Sequence, residues 1–195
     1  MRILRAARYR VMPWKNGGGT TTEIAVSPDG AGLDDFDWRV SMARVETGGP
    51  FSSFTGIDRT LSVLEGEGVV LDIAGRAPVR LTKASAPLAF AGDLPTSAAL
   101  ISGPITDLNV MTRRGRMAHR VERRPLSGEI RISPRADRTL VLAVNAGFRL
   151  LTDDAPSLGP LDTLILERDS PELRFQPKGQ GLLFVIELHR LAANH

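Results

Sequence analysis

The stretch Trp38–Gly66, WRVSMARVETGGPFSSFTGIDRTLSVLEG, decides the fold. It reads as strand, Gly-Pro turn, strand, turn, strand. Side chains alternate along a strand, so Trp38, Val40 and Met42 share one face of the first segment and Arg39, Ser41 and Ala43 the other. The apolar face is expected to pack on a neighbouring layer. The small, polar face suits a barrel lumen that holds a ligand, with Arg39 pointing either inward or to water. A second stretch, Pro13–Glu23 (PWKNGGGTTTE), is a three-glycine turn with Trp14, Lys15 and Asn16 beside it, running into a β-prone segment. There Thr21 and Glu23 share a face. Glu23 either meets a ligand or neutralises Arg39 or Arg59, and the second role is favoured because buried charges need partners.

The rest of the chain follows the same pattern. Apolar runs are short, rich in Val, Ile, Leu and Phe, and broken every few residues by Gly, Pro, Asp or Ser; 19 Gly and 13 Pro leave little room for a long helix. Expected strands include Arg8–Met12, Thr21–Val26, Trp38–Val45, Arg59–Glu65, Val69–Ile73 and Asp107–Thr112, then Met117–Val121, Thr139–Ala143, Leu161–Leu166 and Leu182–Leu188. TLSVLEGEGVVLDI and TLVLAVNAGFRLLT echo each other as strand, turn, strand, which suggests two similar β-halves joined across Arg113–Pro134.

Composition narrows the function classes. The 195 residues suffice for one ordinary domain or two fused small halves, and 42% hydrophobic with 24% charged residues is globular composition. No cysteine is present, so thiolate and disulfide chemistry are excluded. The basic N-terminus has no apolar run of signal-peptide length, and no stretch approaches a membrane span; a cytoplasmic protein without membrane partners is expected. Net charge is only +3. The stretch Arg113-Arg114-Gly115-Arg116, with Arg120, Arg123 and Arg124, lacks interleaved aromatics and a recognition-helix signal, so no nucleic-acid partner is expected.

The chemistry-bearing residues point to binding. The glycine run is not a nucleotide loop, because no Lys-Ser/Thr follows it and the next segment reads as strand. Arg59 offers a fork for a carboxylate, or a surface pair with Asp58 or Glu65. Ser52 or Ser53 could add a donor, and Asn109 could orient an amide or acyl oxygen, while Asp107 reads as a cap or turn residue. The histidines, His119, His189 and His195, are scattered, which disfavours a metal site and leaves acid–base catalysis without its usual residue.

PWKNGGGTTTE, WRVSMARVETGGPFSSFTGIDRTLSVLEGEG and DLNVMTRRG resemble the HutD/Ves family of cupin-like proteins, over roughly the first 115 residues by motif and beyond them by strand pattern. The resemblance implies an all-β bicupin, two jelly-roll-like β-barrel halves packed as one compact unit, with halves at 1–115 and 116–195. It implies a regulatory role in histidine utilisation and a ligand such as N-formylglutamate. The pocket residues it carries over are Trp14, Asn16, Gly19, Thr21, Glu23, Arg39, Ser41, Phe51, Ser52, Arg59 and Asn109; Lys15 stands where the family tolerates another basic residue. Metal-binding cupins carry an HxH-type pair where this chain has Pro50-Phe51-Ser52-Ser53-Phe54, so neither metal nor cofactor is expected. The leading expectation is a non-catalytic binder of a small anionic metabolite, an acyl-amino-acid or dicarboxylate, with a homodimer compatible. The alternatives are a metal-independent isomerase or epimerase, which would use a His–carboxylate pair, from His119 or His189, and the sole tyrosine, Tyr9, and a dimeric interaction protein.

Overall fold

The computed structural model describes residues 1–152 and 156–192. In chain order the strands are β1 (Arg2–Leu4), β2 (Arg10–Pro13), β3 (Gly19–Ser27), β4 (Trp38–Val45), β5 (Gly49–Pro50), β6 (Ile57–Glu65), β7 (Val69–Ile73), β8 (Val79–Leu81), β9 (Leu88–Ala91) and β10 (Thr96–Leu100). They continue with β11 (Ile105–Arg113), β12 (Met117–Leu126), β13 (Ile130–Ile132), β14 (Arg138–Ala143), β15 (Phe148–Leu150), β16 (Ser157–Leu158), β17 (Thr163–Glu167), β18 (Leu173–Pro177) and β19 (Gly181–Arg190). One 3-10 turn, Ala6–Arg8, occupies the start of the expected Arg8–Met12 strand. Among the described residues no helix is long and apolar enough to cross a membrane.

The chain forms two compact units. The first is built on Arg10–Ala118; the second joins Met1–Tyr9 to His119–Leu191. The sequence placed a boundary between residues 115 and 116 and assigned the first nine residues to the N-terminal half. In the structure those residues belong with the C-terminal segment, and the expected Arg113–Pro134 junction contains the strands β12 and β13.

The first unit has a six-stranded sheet, order β2-β3-β4-β11-β6-β9, and a four-stranded sheet, order β5-β10-β7-β8. Both are open sheets with ends, so the jelly-roll-like halves are cupin-like without being closed barrels. Alternation builds the core: Ala43, Val45, Leu61, Val63, Phe90 and Ile105 from the larger sheet meet Val69, Leu71, Ile73, Leu81 and Ala98 from the smaller. The opposite face of β4 is buried as well, which is why that strand carries Trp38, Val40 and Met42 there.

The second unit repeats the plan with a five-stranded sheet, β1-β17-β14-β19-β12, and a four-stranded sheet, β13-β18-β15-β16. Its interior is apolar: Val141, Ala143, Leu164, Leu166, Leu183 and Val185 face Ile132, Phe148, Leu150, Leu173 and Phe175. The first nine residues are clamped to this unit. The Tyr9 hydroxyl lies 2.9 Å from both the Leu161 carbonyl oxygen and Thr163 Oγ1, and burial pushes it up to about 12. Asp162 accepts from Arg5 Nη1 (2.7 Å), the Ala6 N–H (2.8 Å) and the Gly159 N–H (2.9 Å). Burial alone would raise that carboxyl; these donors hold it below the usual carboxylate range. Leu161, expected inside a strand, instead turns with φ 62° just before β17.

Candidate functional site

Register places Thr21, Glu23, Arg39, Ser41, Arg59, Asp107 and Asn109 on one face of the six-stranded sheet. Arg39 on β4 and Arg59 on β6 both lie opposite Met111 of the intervening strand β11. They therefore stand two strands apart in one row, about 10 Å between backbones. The next row along contains Glu23 on β3, Ser41 on β4, Asn109 on β11 and Leu61 on β6. The row after that contains Thr21, Ala43, Asp107 and Val63. An irregularity in β3 between Glu23 and Ala25 brings Glu23 level with Ser41 while Val26 pairs with Arg39. Along β11 the polar pair Asp107 and Asn109 sits between Ile105, in the main core, and Met111, which packs with Val26, Phe36 and Ile57.

The charges on this face are matched through specific bonds. Arg39, 7% exposed, donates from Nε to Glu23 Oε2 at 2.8 Å. That is the neutralising partnership expected of Glu23, and Arg39 faces inward rather than to water. Arg59 donates through both Nε (2.7 Å) and Nη2 to Asn109 Oδ1. Asn109 Nδ2 donates in turn to Asp107 Oδ1. The Arg59 guanidinium carbon sits 4.5 Å from the centre of the Phe51 ring and 5.6 Å from that of Phe90. Both aromatic faces favour a cation there while removing water from it. Burial pulls Arg59 down to about 10; Asp107 opposes the fall and Arg39 adds to it. Burial likewise pushes Asp107 up to about 7, against the pull of Arg59 and of its bond from Asn109.

Most of the residues singled out from sequence meet on this face. Thr21, Glu23, Arg39, Ser41, Arg59 and Asn109 lie on it, and Phe51 closes over Arg59. Trp14 packs on the main core and donates from its indole to Thr21 Oγ1 at 2.8 Å. The other candidates lie elsewhere. Lys15 and Asn16 are exposed on the glycine turn, and Ser52 is exposed beyond Phe51. Asn16 Oδ1 accepts from the Gly18 N–H at 3.0 Å, which closes the turn locally. Gly19 works by close approach: a Cβ there would lie 2.1 Å from the Arg44 carbonyl oxygen. Arg59 pairs with neither Asp58 nor Glu65; Asp58 belongs to Arg114 and Glu65 to Thr106.

Two residues of this face were not expected. Asp107 is no cap or turn residue but a strand residue, 1% exposed. Phe90 provides a second ring for Arg59. The i, i+2 spacing of Asp107 and Asn109 in DLNVM was the available signal, since it puts both on one strand face.

The arginine-rich stretch is locally compensated. Arg114 pairs with Asp58 (2.9 Å) and Asp93 (3.1 Å), and Arg116 with Asp37 (2.9 Å). Arg113 donates to the Phe36 and Asp34 carbonyl oxygens, while Arg120 and Arg124 both pair with Glu122. Among the described residues no three His, Asp or Glu side chains converge as metal ligands; His195 lies outside the described residues.

Two paired-sheet units, one lined by a polar face, define a cupin-like protein. The architecture matches that of YhhW from Escherichia coli with a TM-score of 0.70 at 9% identity over 100% of this chain and 99% of that one, a likeness of fold alone. The HutD family model matches residues 6–185, and the chain belongs to that family. HutD from Pseudomonas fluorescens SBW25 superposes with a TM-score of 0.81 at 35% identity, covering 98% of this chain and 99% of that one. A 21.2 kDa protein in the hutC 3′ region of Pseudomonas putida, described as uncharacterized, is 35% identical over 185 residues, 94% of this chain and 95% of that protein. Protein Ves of Citrobacter koseri is 40% identical over 116 residues, 57% of this chain and 59% of its own length.

Proposed function

We propose that the chain binds a small carboxylate, an acyl-amino-acid or dicarboxylate such as N-formylglutamate, within the first unit and acts in the regulation of histidine utilisation. One observation carries the reading: the Arg59 guanidinium lies over the Phe51 and Phe90 rings, with Asn109 as its only hydrogen-bond acceptor among the described residues. A guanidinium in that setting has donors left for a carboxylate, and partial desolvation strengthens the bond. Arg39 is already matched by Glu23, so Arg59 is the cation available to an anion. Thr21, Ser41 and the Trp14 and Phe51 rings complete the mixture of apolar wall and placed polar groups typical of small-molecule sites. Among the described residues the core of the second unit is filled by Phe148 and Phe175 with aliphatic side chains. The physiological setting rests on the relatives' names: one is called HutD and another lies in a hutC region.

The test is thermal stability against a panel of histidine-pathway intermediates and related dicarboxylates. A ligand present at a hundred times its Kd adds about 2.7 kcal/mol. For a chain of this size that is a rise of roughly 5–10 °C. A panel without any shift at millimolar concentration contradicts the proposal.

A further inference from the structure

We propose that Asp107 is the proton-binding group of this site: reaching Arg59 through Asn109, it takes up a proton when a carboxylate binds to Arg59. The inference rests on the carboxylate reading above and adds a residue and a linkage to it.

The geometry is a three-membered relay. Asp107 Oδ1 accepts from Asn109 Nδ2, and Asn109 Oδ1 accepts from Arg59 Nε and Nη2. The relay fixes the Asn109 amide, oxygen toward Arg59 and nitrogen toward Asp107, and so aims the guanidinium. Asp107 is a positioning residue, since it acts on a ligand through Asn109 and Arg59.

Few other charges face it. Arg59 comes from β6, Arg39 from β4 and Glu23 from β3, and Arg39 and Glu23 satisfy one another. The register neighbours of Asp107 are Ala43 and Val63. The four-stranded sheet adds Val69, Leu71, Ile73, Leu81 and Ala98 to the cluster that holds those two, and its buried polar residue on that face, Thr96, carries no charge. Arg59 is thus the main influence favouring an ionised Asp107. A carboxylate arriving on Arg59 cancels that influence and adds a like charge nearby, and both changes favour the protonated acid. With Asp107 already pushed up to about 7 in the free protein, the added proton is taken up near neutral pH.

The sign follows by linkage. Binding that prefers protonated Asp107 is tightest below its free value and weakens as pH rises through it. Each unit by which a ligand raises Asp107 corresponds to a tenfold loss of affinity at high pH. Common carboxylates are fully ionised above pH 6, so a slope there belongs to the protein.

Titration calorimetry of the full chain with N-formyl-L-glutamate and with glutarate, at pH 6.0 to 8.5 and in two buffers of different ionisation enthalpy, tests this. The expected result is roughly tenfold weaker binding at pH 8.5 than at pH 6.0, with net proton uptake between pH 7 and 8. Asp107→Asn keeps an acceptor for Asn109 and should bind with a flat pH profile. Carbon-13 NMR of the wild-type Asp107 carboxyl needs no variant, and its midpoint should move up at saturation with either probe. Binding with a flat wild-type profile, an unmoved midpoint, or the same slope in Asp107→Asn overturns the proton linkage alone. Failure of both probes to bind at any pH overturns the carboxylate reading, and this inference falls with it.

Discussion

Replacing Asn109 with leucine cuts the relay at its centre, and the structure sets the cost. Arg59 loses its Asn109 acceptor, and Asp107 loses its Asn109 donor. Hydrogen bonds to charged groups contribute roughly 1.5–3 kcal/mol each when well formed. Arg59 is only half-buried, and water can replace part of what it loses, so its share belongs at the low end. Asp107, 1% exposed, has no such recourse, and an orphaned buried acceptor costs about 1–3 kcal/mol. Leucine gains some apolar contact beside Leu61, which returns roughly 1 kcal/mol. The expected net loss is about 2.5 kcal/mol, or a fall in Tm of about 5–10 °C. The loss should also depend on pH. At pH 5 Asp107 is protonated and the missing donor costs little more than that of a neutral group; at pH 8 an ionised carboxylate is stranded. Differential scanning calorimetry of wild type and variant at both pH values reads this directly. A loss below about 1 kcal/mol, or a loss equal at pH 5 and pH 8, refutes the relay as drawn.

Other consequences can be measured separately. Because Asp107 is raised in the folded state, its contribution to stability is complete below the ordinary carboxylate range and is lost as pH rises through about 7. Asp107→Asn should therefore flatten the stability profile between pH 4 and 7, removing a slope on the order of 4 kcal/mol, as followed by urea unfolding. Gly19→Ala drives a Cβ to 2.1 Å from the Arg44 carbonyl oxygen and 3.1 Å from the Trp14 ring, and should cost about 2 kcal/mol or more. Gly17→Ala, at φ +70° in open space, should cost only about 1 kcal/mol, so the two Tm values separate close approach from backbone freedom. Tyr9→Phe removes the hydroxyl from Leu161 and Thr163 and should lower stability by about 1–2 kcal/mol while leaving carboxylate binding in the first unit unchanged.

The parts of this molecule that were legible in its sequence are those encoded by short-range periodicity. The alternation in Trp38–Val45 assigned Arg39 and Ser41 to one face, and the same rule grouped Thr21 with Glu23. The Gly66-Glu67-Gly68 turn was readable because both glycines adopt positive φ, 88° and 121°. What escaped was set by distant pairing. Nothing local says that Arg2–Leu4 pairs with Thr163–Glu167, or that Tyr9 reaches Leu161, because those partners lie some 150 residues apart. The register that places Arg39 and Arg59 opposite one residue, Met111, is likewise a tertiary fact. Asp107 was misread for a related reason. An aspartate before an apolar run is usually a cap or turn residue, and only the relay through Asn109 makes a buried strand position tolerable for it.

A crystal soaked with N-formyl-L-glutamate shows whether Arg59 is the cation that holds a carboxylate. Density is expected in the first unit with a carboxylate of the probe within hydrogen-bond distance of the Arg59 guanidinium, under Phe51. A first unit without probe density at saturating concentration, or the probe bound with its carboxylates remote from Arg59, contradicts that role.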